Sequence, residues 1–184
     1  MKKFNRSGQQ SELENILFQT IREKLYQKKS KGFGFHDAIL PVFLEVLEFS
    51  DSIIQNLEKN GLSPKIACRN GCNYCCHSQV NIIPIEALLI SDFIKTDFSF
   101  TQISVLKADI LKNQLIAAGK TLEQLYDIKQ DLPCLFLKKG ECSIYKIRPS
   151  ICRSWNSFDS NTCKTAYDSV DYRTSVVGSP ARNY

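Results

Sequence analysis

Three things the chain does not have narrow its reading at once. No window comes near the ~18 consecutive apolar residues that a membrane-spanning helix needs. The most apolar stretch, Ile82 to Ile90, is interrupted by Glu86, so no membrane association is expected. The start, Met1-Lys2-Lys3-Phe4-Asn5-Arg6, is basic but is followed by no apolar run of the kind a secretion signal requires. A cytoplasmic location is therefore expected. Nor is charge of one sign concentrated: 24 Lys and Arg against 19 Asp and Glu leave a formal +5. The longest basic stretches are only Met1-Lys2-Lys3 and Lys28-Lys29-Ser30-Lys31, which read as solvated tail and helix-end charges, and nucleic acid is not an expected partner. Repeats at solenoid periods and low-complexity tracts are missing as well, and no glycine-rich turn follows a strand to seat a nucleotide-like cofactor.

What remains is an ordinary globular balance, 43% hydrophobic and 23% charged over 184 residues, which predicts a single domain spanning 1–184. Its fold class reads as mainly α. Leu13, Ile16, Leu17, Ile21 and Leu25 recur at the spacing of one helical face. Pro41 fits the first position of a second helix that carries Val46, Leu47, Ile53 and Ile54 to a stop at Gly61, with Gly32-Phe33-Gly34 as the loop between the two. Pro84 opens a short helix through Phe93. Thr101 is the expected cap of a longer one running to Gly119, with Ile103, Leu106, Ile110, Leu111 and Leu115 inward. Thr121-Leu122-Glu123-Gln124 is a capping-box start for another turn or two. From Asp131 onward the periodicity fails while proline, glycine and cysteine become frequent, so the C-terminal third is expected to be irregular and cross-linked by metal. Ser175 to Tyr184 reads as a loose tail.

The chain is rich in one residue, cysteine, with eight copies. A reducing cytosol disfavours disulfides, so repeated cysteines there point to metal; in an exported chain the same eight would form four disulfides. Cys68, Cys72, Cys75 and Cys76 stand at relative positions 0, 4, 7 and 8. A continuous helix would gather them within an arc of about 100°. Asn70-Gly71 favours a turn instead, with Cys68 entering from a loop. Neighbouring Cys75 and Cys76 would point in different directions on a helix, so they serve different metals or only one is a ligand. A second group follows: Cys134 after Pro133, then Cys142-Ser143-Ile144-Tyr145, then Arg148-Pro149-Ser150-Ile151-Cys152-Arg153. Thiolates are soft donors that suit zinc, iron and iron–sulfur clusters, whereas calcium and magnesium want oxygen. A tetrahedral zinc or a four-iron cluster takes four sulfurs, so this number of cysteines means one site with spare thiols or two sites.

The two groups resemble the CxxCxxCC cysteine-cluster family, a zinc- or iron-chelating domain by description. The resemblance covers roughly residues 66 to 155. It is carried by Cys72-x2-Cys75-Cys76 and by Cys142-Ser143-Ile144-Tyr145 with Arg148-Pro149-x2-Cys152-Arg153. It implies zinc or iron, or a 4Fe-4S cluster, held by cysteines from both halves. The expected metal ligands are Cys68, Cys72, Cys75, Cys76, Cys134, Cys142 and Cys152. Cys163 lies outside the pattern and is expected to matter least. One branch of the family is similar to the flagellin lysine N-methylases, which implies S-adenosylmethionine and an iron–sulfur cluster as an alternative.

Other residues have defined expectations around such a site. Arg69, Arg148 and Arg153 are placed to offset thiolate charge, with ordinary capping or ion pairing as the competing reading for Arg148. His77 is expected beside the ligands rather than among them, because the thiols already satisfy the coordination count. Tyr145 and Trp155 are expected to pack over the site. Two further readings stay open: spare thiols acting as a redox sensor, and a metal-stabilised module that binds a protein partner. A nucleophilic pair of Cys76 or Cys152 with His36 or His77 has nothing beyond residue type in its favour.

Overall fold

The computed structural model describes the backbone of residues 6–169 and the side chains of residues 15–169. The basic start and the tail from Ser175 lie outside that range. Among the described residues the chain is mainly helical, with seven α-helices, three short 3-10 helices and one two-stranded hairpin. No described helix is long and apolar enough to cross a membrane. The chain divides into two compact units, Met1–Ser50 and Asp51–Tyr184, and all eight cysteines lie in the second.

In the first unit, α1 (Arg6–Ser30) leads through a short loop into α2 (Phe35–Lys59). Leu17, Ile21 and Leu25 form the half-buried stripe of α1 at four-residue spacing, but Ile16 is 57% exposed and leaves the expected face. Pro41 does not open α2. The helix starts six residues earlier, its first turn closed by Ala38 N–H on Gly34 O at 3.0 Å. A proline within a helix removes one bond to the carbonyl four residues back; the neighbouring Leu40 and Val42, both buried, offset that loss.

In the second unit, α2 ends as expected at Gly61, whose φ of +67° permits Leu62 N–H to reach back to Leu57 O at 2.9 Å. Helix α3 (Pro84–Asp97) has Pro84 in its first turn and buries Glu86, Leu89 and Ile90. Helix α4 (Phe100–Ala117) is capped by Ser99, not Thr101. Ser99 Oγ accepts Gln102 N–H at 3.3 Å and Gln102 Oε1 accepts Ser99 N–H at 2.8 Å, a reciprocal box that a lone Thr101 cannot match. The inward face of α4 is narrower than expected: Leu106 is buried, Ile103 and Ile110 are half-buried, while Leu111 and Leu115 are 62% and 80% exposed. Thr121 caps α5 (Leu122–Asp127) as its capping box predicts.

From Leu132 the chain is irregular. A hairpin of β1 (Leu137–Lys138) and β2 (Glu141–Cys142) pairs Leu137 with Cys142. Its two-residue turn, Lys139 at φ 52° and Gly140 at φ 82°, needs positive φ at both positions, which glycine supplies at the second. Two short helices follow, α6 (Ser150–Ser154) and α7 (Ser160–Asp168).

Helix α6 has no side-chain cap of its own, and Glu86 takes that role from α3. The Glu86 carboxylate, 3% exposed, accepts Ser150 N–H at 2.7 Å and the Ser150 hydroxyl at 2.5 Å, and it also accepts Ile83 N–H at 3.0 Å. Glu86→Ala removes the shared acceptor of three donors on Ser150 and Ile83 and is expected to lower stability by about 1–2 kcal/mol in urea unfolding. A loss as small as that of the exposed control Leu88→Ala would refute the role.

Candidate metal centre

The first cysteine cluster is not one continuous helix. Gly71 adopts φ +88°, the turn that Asn70-Gly71 favours, and Cys68 enters from extended chain. Only Cys75 and Cys76 lie on a helix, the 3-10 turn Tyr74–His77. Cys68 is tied to the C-terminal region by Ala67 N–H on Ser157 O at 2.8 Å, and its sulfur accepts Ser157 N–H at 3.2 Å. The second group is brought to the first by the backbone: Cys134 N–H donates to Cys76 O at 2.6 Å. Cys142 sits on β2, Cys152 on α6 and Cys163 on α7.

All eight cysteines are reduced and half-buried, with no disulfide among the described residues. Burial pushes the thiols of Cys68, Cys72, Cys134 and Cys142 up. The thiol of Cys152 is pushed up to about 12, first by burial and then by the negative charges of Cys75, Cys134 and Cys142. For Cys76 the largest influence is its hydrogen bond with Cys75, followed by burial and by the charges of Cys75, Cys134 and Cys142. Thiols contributed by 3-10 helix, loop, hairpin and α6 therefore act on one another. Without a cation they stay protonated, and a soft cation reverses that preference.

Backbone donors point the same way. Cys72 accepts the N–H of Tyr74, Cys134 those of Phe136 and Leu137, and Cys142 that of Ile144. Each lowers the thiol pKa against the effect of burial. Donors two or three residues past the sulfur stabilise a thiolate rather than a thiol, which is the form a metal binds.

Cationic side chains divide by role. Arg69 favours the charged form of Cys72, Arg148 favours those of Cys142 and Cys152, and Lys138 favours that of Cys134. Arg148 also stacks on the Tyr145 ring at 4.0 Å and donates to Tyr145 O at 3.3 Å. Arg153 departs from expectation: its guanidinium is buried against Asp51 and donates to the carbonyls of Arg148 at 2.9 Å and Lys146 at 2.5 Å. It holds the chain that carries Cys152. His77 Nδ1 lies 3.3 Å from Lys129 O, its ring meets Tyr167 edge-on at 4.8 Å, and it lines the same cleft as Cys68, Cys72 and Cys75.

A cleft of about 370 Å³ opens on the first cluster, lined by Cys68, Cys72, Cys75 and Cys163 together with Trp155 and Tyr167. Cys163, set aside because it lies outside the family's pattern, therefore faces the same space as three expected ligands. Its negative charge pushes up both Cys68 and Cys72. The signal in the sequence was Asp159-Ser160, the start of α7, where Asp159 accepts Asn161 N–H at 2.8 Å. Among the described residues, no group of three or more His, Cys, Asp or Glu side chains is placed so that it could hold a metal ion. The donor set nonetheless fits zinc or iron: soft sulfurs, backbone N–H groups turned to them, and cations at their margin.

The chain matches the family model of CxxCxxCC, described as a "Putative zinc- or iron-chelating domain", over residues 67–170. That match spans more than half of the 184 residues and the chain belongs to this family. It runs past Cys152 and takes in α7 with Cys163. No curated protein and no solved structure matches the chain.

Proposed function

We propose that the protein chelates zinc or iron in a reducing compartment through the thiolates of Cys68, Cys72, Cys75, Cys76, Cys134, Cys142 and Cys152. The observation that carries this reading is the mutual influence of thiols from four separate chain segments, with backbone N–H groups donated to their sulfurs. When bound, the metal supplies a soft positive centre that ties those segments together. The chain's own part is to present thiolates, offset their charge through Arg69, Lys138 and Arg148, and shield them. Trp155 and Tyr167 wall the cleft side. Iron bound as a 4Fe-4S cluster would use the same kind of four-thiolate set. No observation favours lysine methylation or redox sensing over chelation.

Anaerobically purified protein is expected to carry about one or two equivalents of zinc or iron, and Cys142→Ser is expected to lower that content. Because the thiols of the metal-free protein are pushed up, each one that binds metal releases a proton. Apparent affinity then rises with pH, by about tenfold per pH unit for each proton displaced, and falls as acid returns the protons. Competition titrations at two pH values measure that slope. Folded, reduced protein that takes up neither metal at any pH would end the proposal.

A further inference from the structure

We propose that the cleft is a binding site for a small aromatic carboxylate, with the ring of the guest among the aromatic side chains and its carboxylate beside the ammonium of Lys129. The proposal does not depend on metal chelation, and its test leaves that function untouched.

The cleft has the size and the walls for such a guest. Its volume of about 370 Å³ falls within the roughly 300–1,000 Å³ of small-molecule sites. Tyr74, His77, Tyr126, Trp155 and Tyr167 all line it. Rings hold another ring by offset stacking or edge-on contact, and the cleft already uses that geometry on itself. Tyr167 meets His77 edge-on at 4.8 Å and lies tilted to Tyr74 at 5.8 Å, which docks α7 on the 3-10 helix. The Tyr126 hydroxyl donates to Ala166 O at 2.9 Å. These walls are therefore fixed before a guest arrives, which lowers the ordering cost of binding.

Lys129 sets the charge of the guest. It is 6% exposed and lines the cleft. A lysine ammonium has three N–H donors, and here two of them go to Ala166 O at 3.1 Å and Ser169 O at 2.5 Å, at the C-terminal end of α7. Its Nζ also lies 3.6 Å from the centroid of the Tyr126 ring. Carbonyl dipoles and a ring face offset a buried cation only in part, and no ion pair among the described residues includes Lys129. Glu123 brings a carboxylate to the cleft, but it is exposed and not paired with Lys129. A carboxylate bound in the cleft supplies the counter-charge, and the aromatic walls select the one that carries a ring.

Trp155 is the sole tryptophan and lines the cleft, so its indole N–H is a single reporter in the proton–nitrogen NMR spectrum of the reduced, full-length protein. Titration with naphthoate is expected to move that signal to saturation. Naphthamide, the same ring without the charge, is expected to bind about tenfold more weakly, the difference a hydrogen bond to a charged group makes. Lys129→Met is expected to abolish the preference for the acid, and a folded variant that keeps it overturns the role of Lys129. Because Lys129 also fastens α7, that variant can lose helical circular dichroism, and the wild-type ratio of acid to amide then decides. Equal affinities, tighter binding of the amide, or tighter binding of naphthylmethylammonium overturn the charge assignment. An indole signal that none of the three compounds moves at about 1 mM overturns the site itself.

Discussion

Stripping the metal from loaded protein is expected to lower its melting temperature by about 10 °C. A ligand present at about a thousand times its Kd contributes about 4 kcal/mol to the folded state, and a chain of this size shifts by about 2–4 °C per kcal/mol. The effect should be large because the C-terminal part of the second unit is short of apolar core. Between Leu132 and Ser157 the elements are a hairpin with two residues per strand, a three-residue 3-10 helix and a five-residue α-helix. The buried apolar residues along that stretch are Leu132, Ile144 and Ile147. Three buried aliphatic side chains are a small core for that length of chain, and bonds from sulfur to a bound metal would add to what holds it. Circular dichroism melts of zinc-loaded and chelator-treated protein, both kept reduced, measure the shift, and superimposable curves would show that the fold does not depend on metal.

Elements whose signals are local were legible in the sequence. Pro84, the Thr121-x2-Gln124 box and Gly61 each mark a helix end by chemistry contained within four residues, and the structure uses all three. The start of α2 was misread because Pro41 marks a first turn only when nothing upstream is helical, and Phe35 to Leu40 are. Leu111 and Leu115 were assigned inward because an apolar stripe says which residues share a face, not whether another element covers it. Within the site, the first cysteine group was visible from spacing and the second from resemblance to the family, and the position of Cys163 from neither. Its approach to Cys68 depends on α7 docking on the 3-10 helix, a contact between segments about 90 residues apart. The same is true of Glu86 and Asp51, whose partners lie 64 and 102 residues away. Acidic residues on a helix carry no mark of a distant partner.

Asp51 carries the second large prediction. It is the counter-charge of Arg153, a side chain only 3% exposed, and Arg148 Nη2 approaches its other oxygen at 3.6 Å. These two arginines flank Cys152, so the carboxylate fastens the segment that brings this thiol toward Cys75, Cys134 and Cys142. Asp51→Ala leaves the Arg153 guanidinium buried with two carbonyls and no anion. Removing one partner of a buried pair costs about 3–5 kcal/mol, and the partial exposure of Asp51 places this case at about 3. The penalty comes from the stranded charge rather than from the lost attraction. Asp51→Ala with Arg153→Met is therefore expected to be more stable than Asp51→Ala alone. If the pair also orients Cys152, Asp51→Ala should weaken zinc binding about 10–100-fold, the usual effect of losing a residue that supports a metal ligand. Urea unfolding of the metal-free variants and zinc competition of the loaded ones separate the two effects. An Asp51→Ala protein within about 0.5 kcal/mol of wild type would mean that the Arg153 carbonyl bonds alone satisfy the guanidinium.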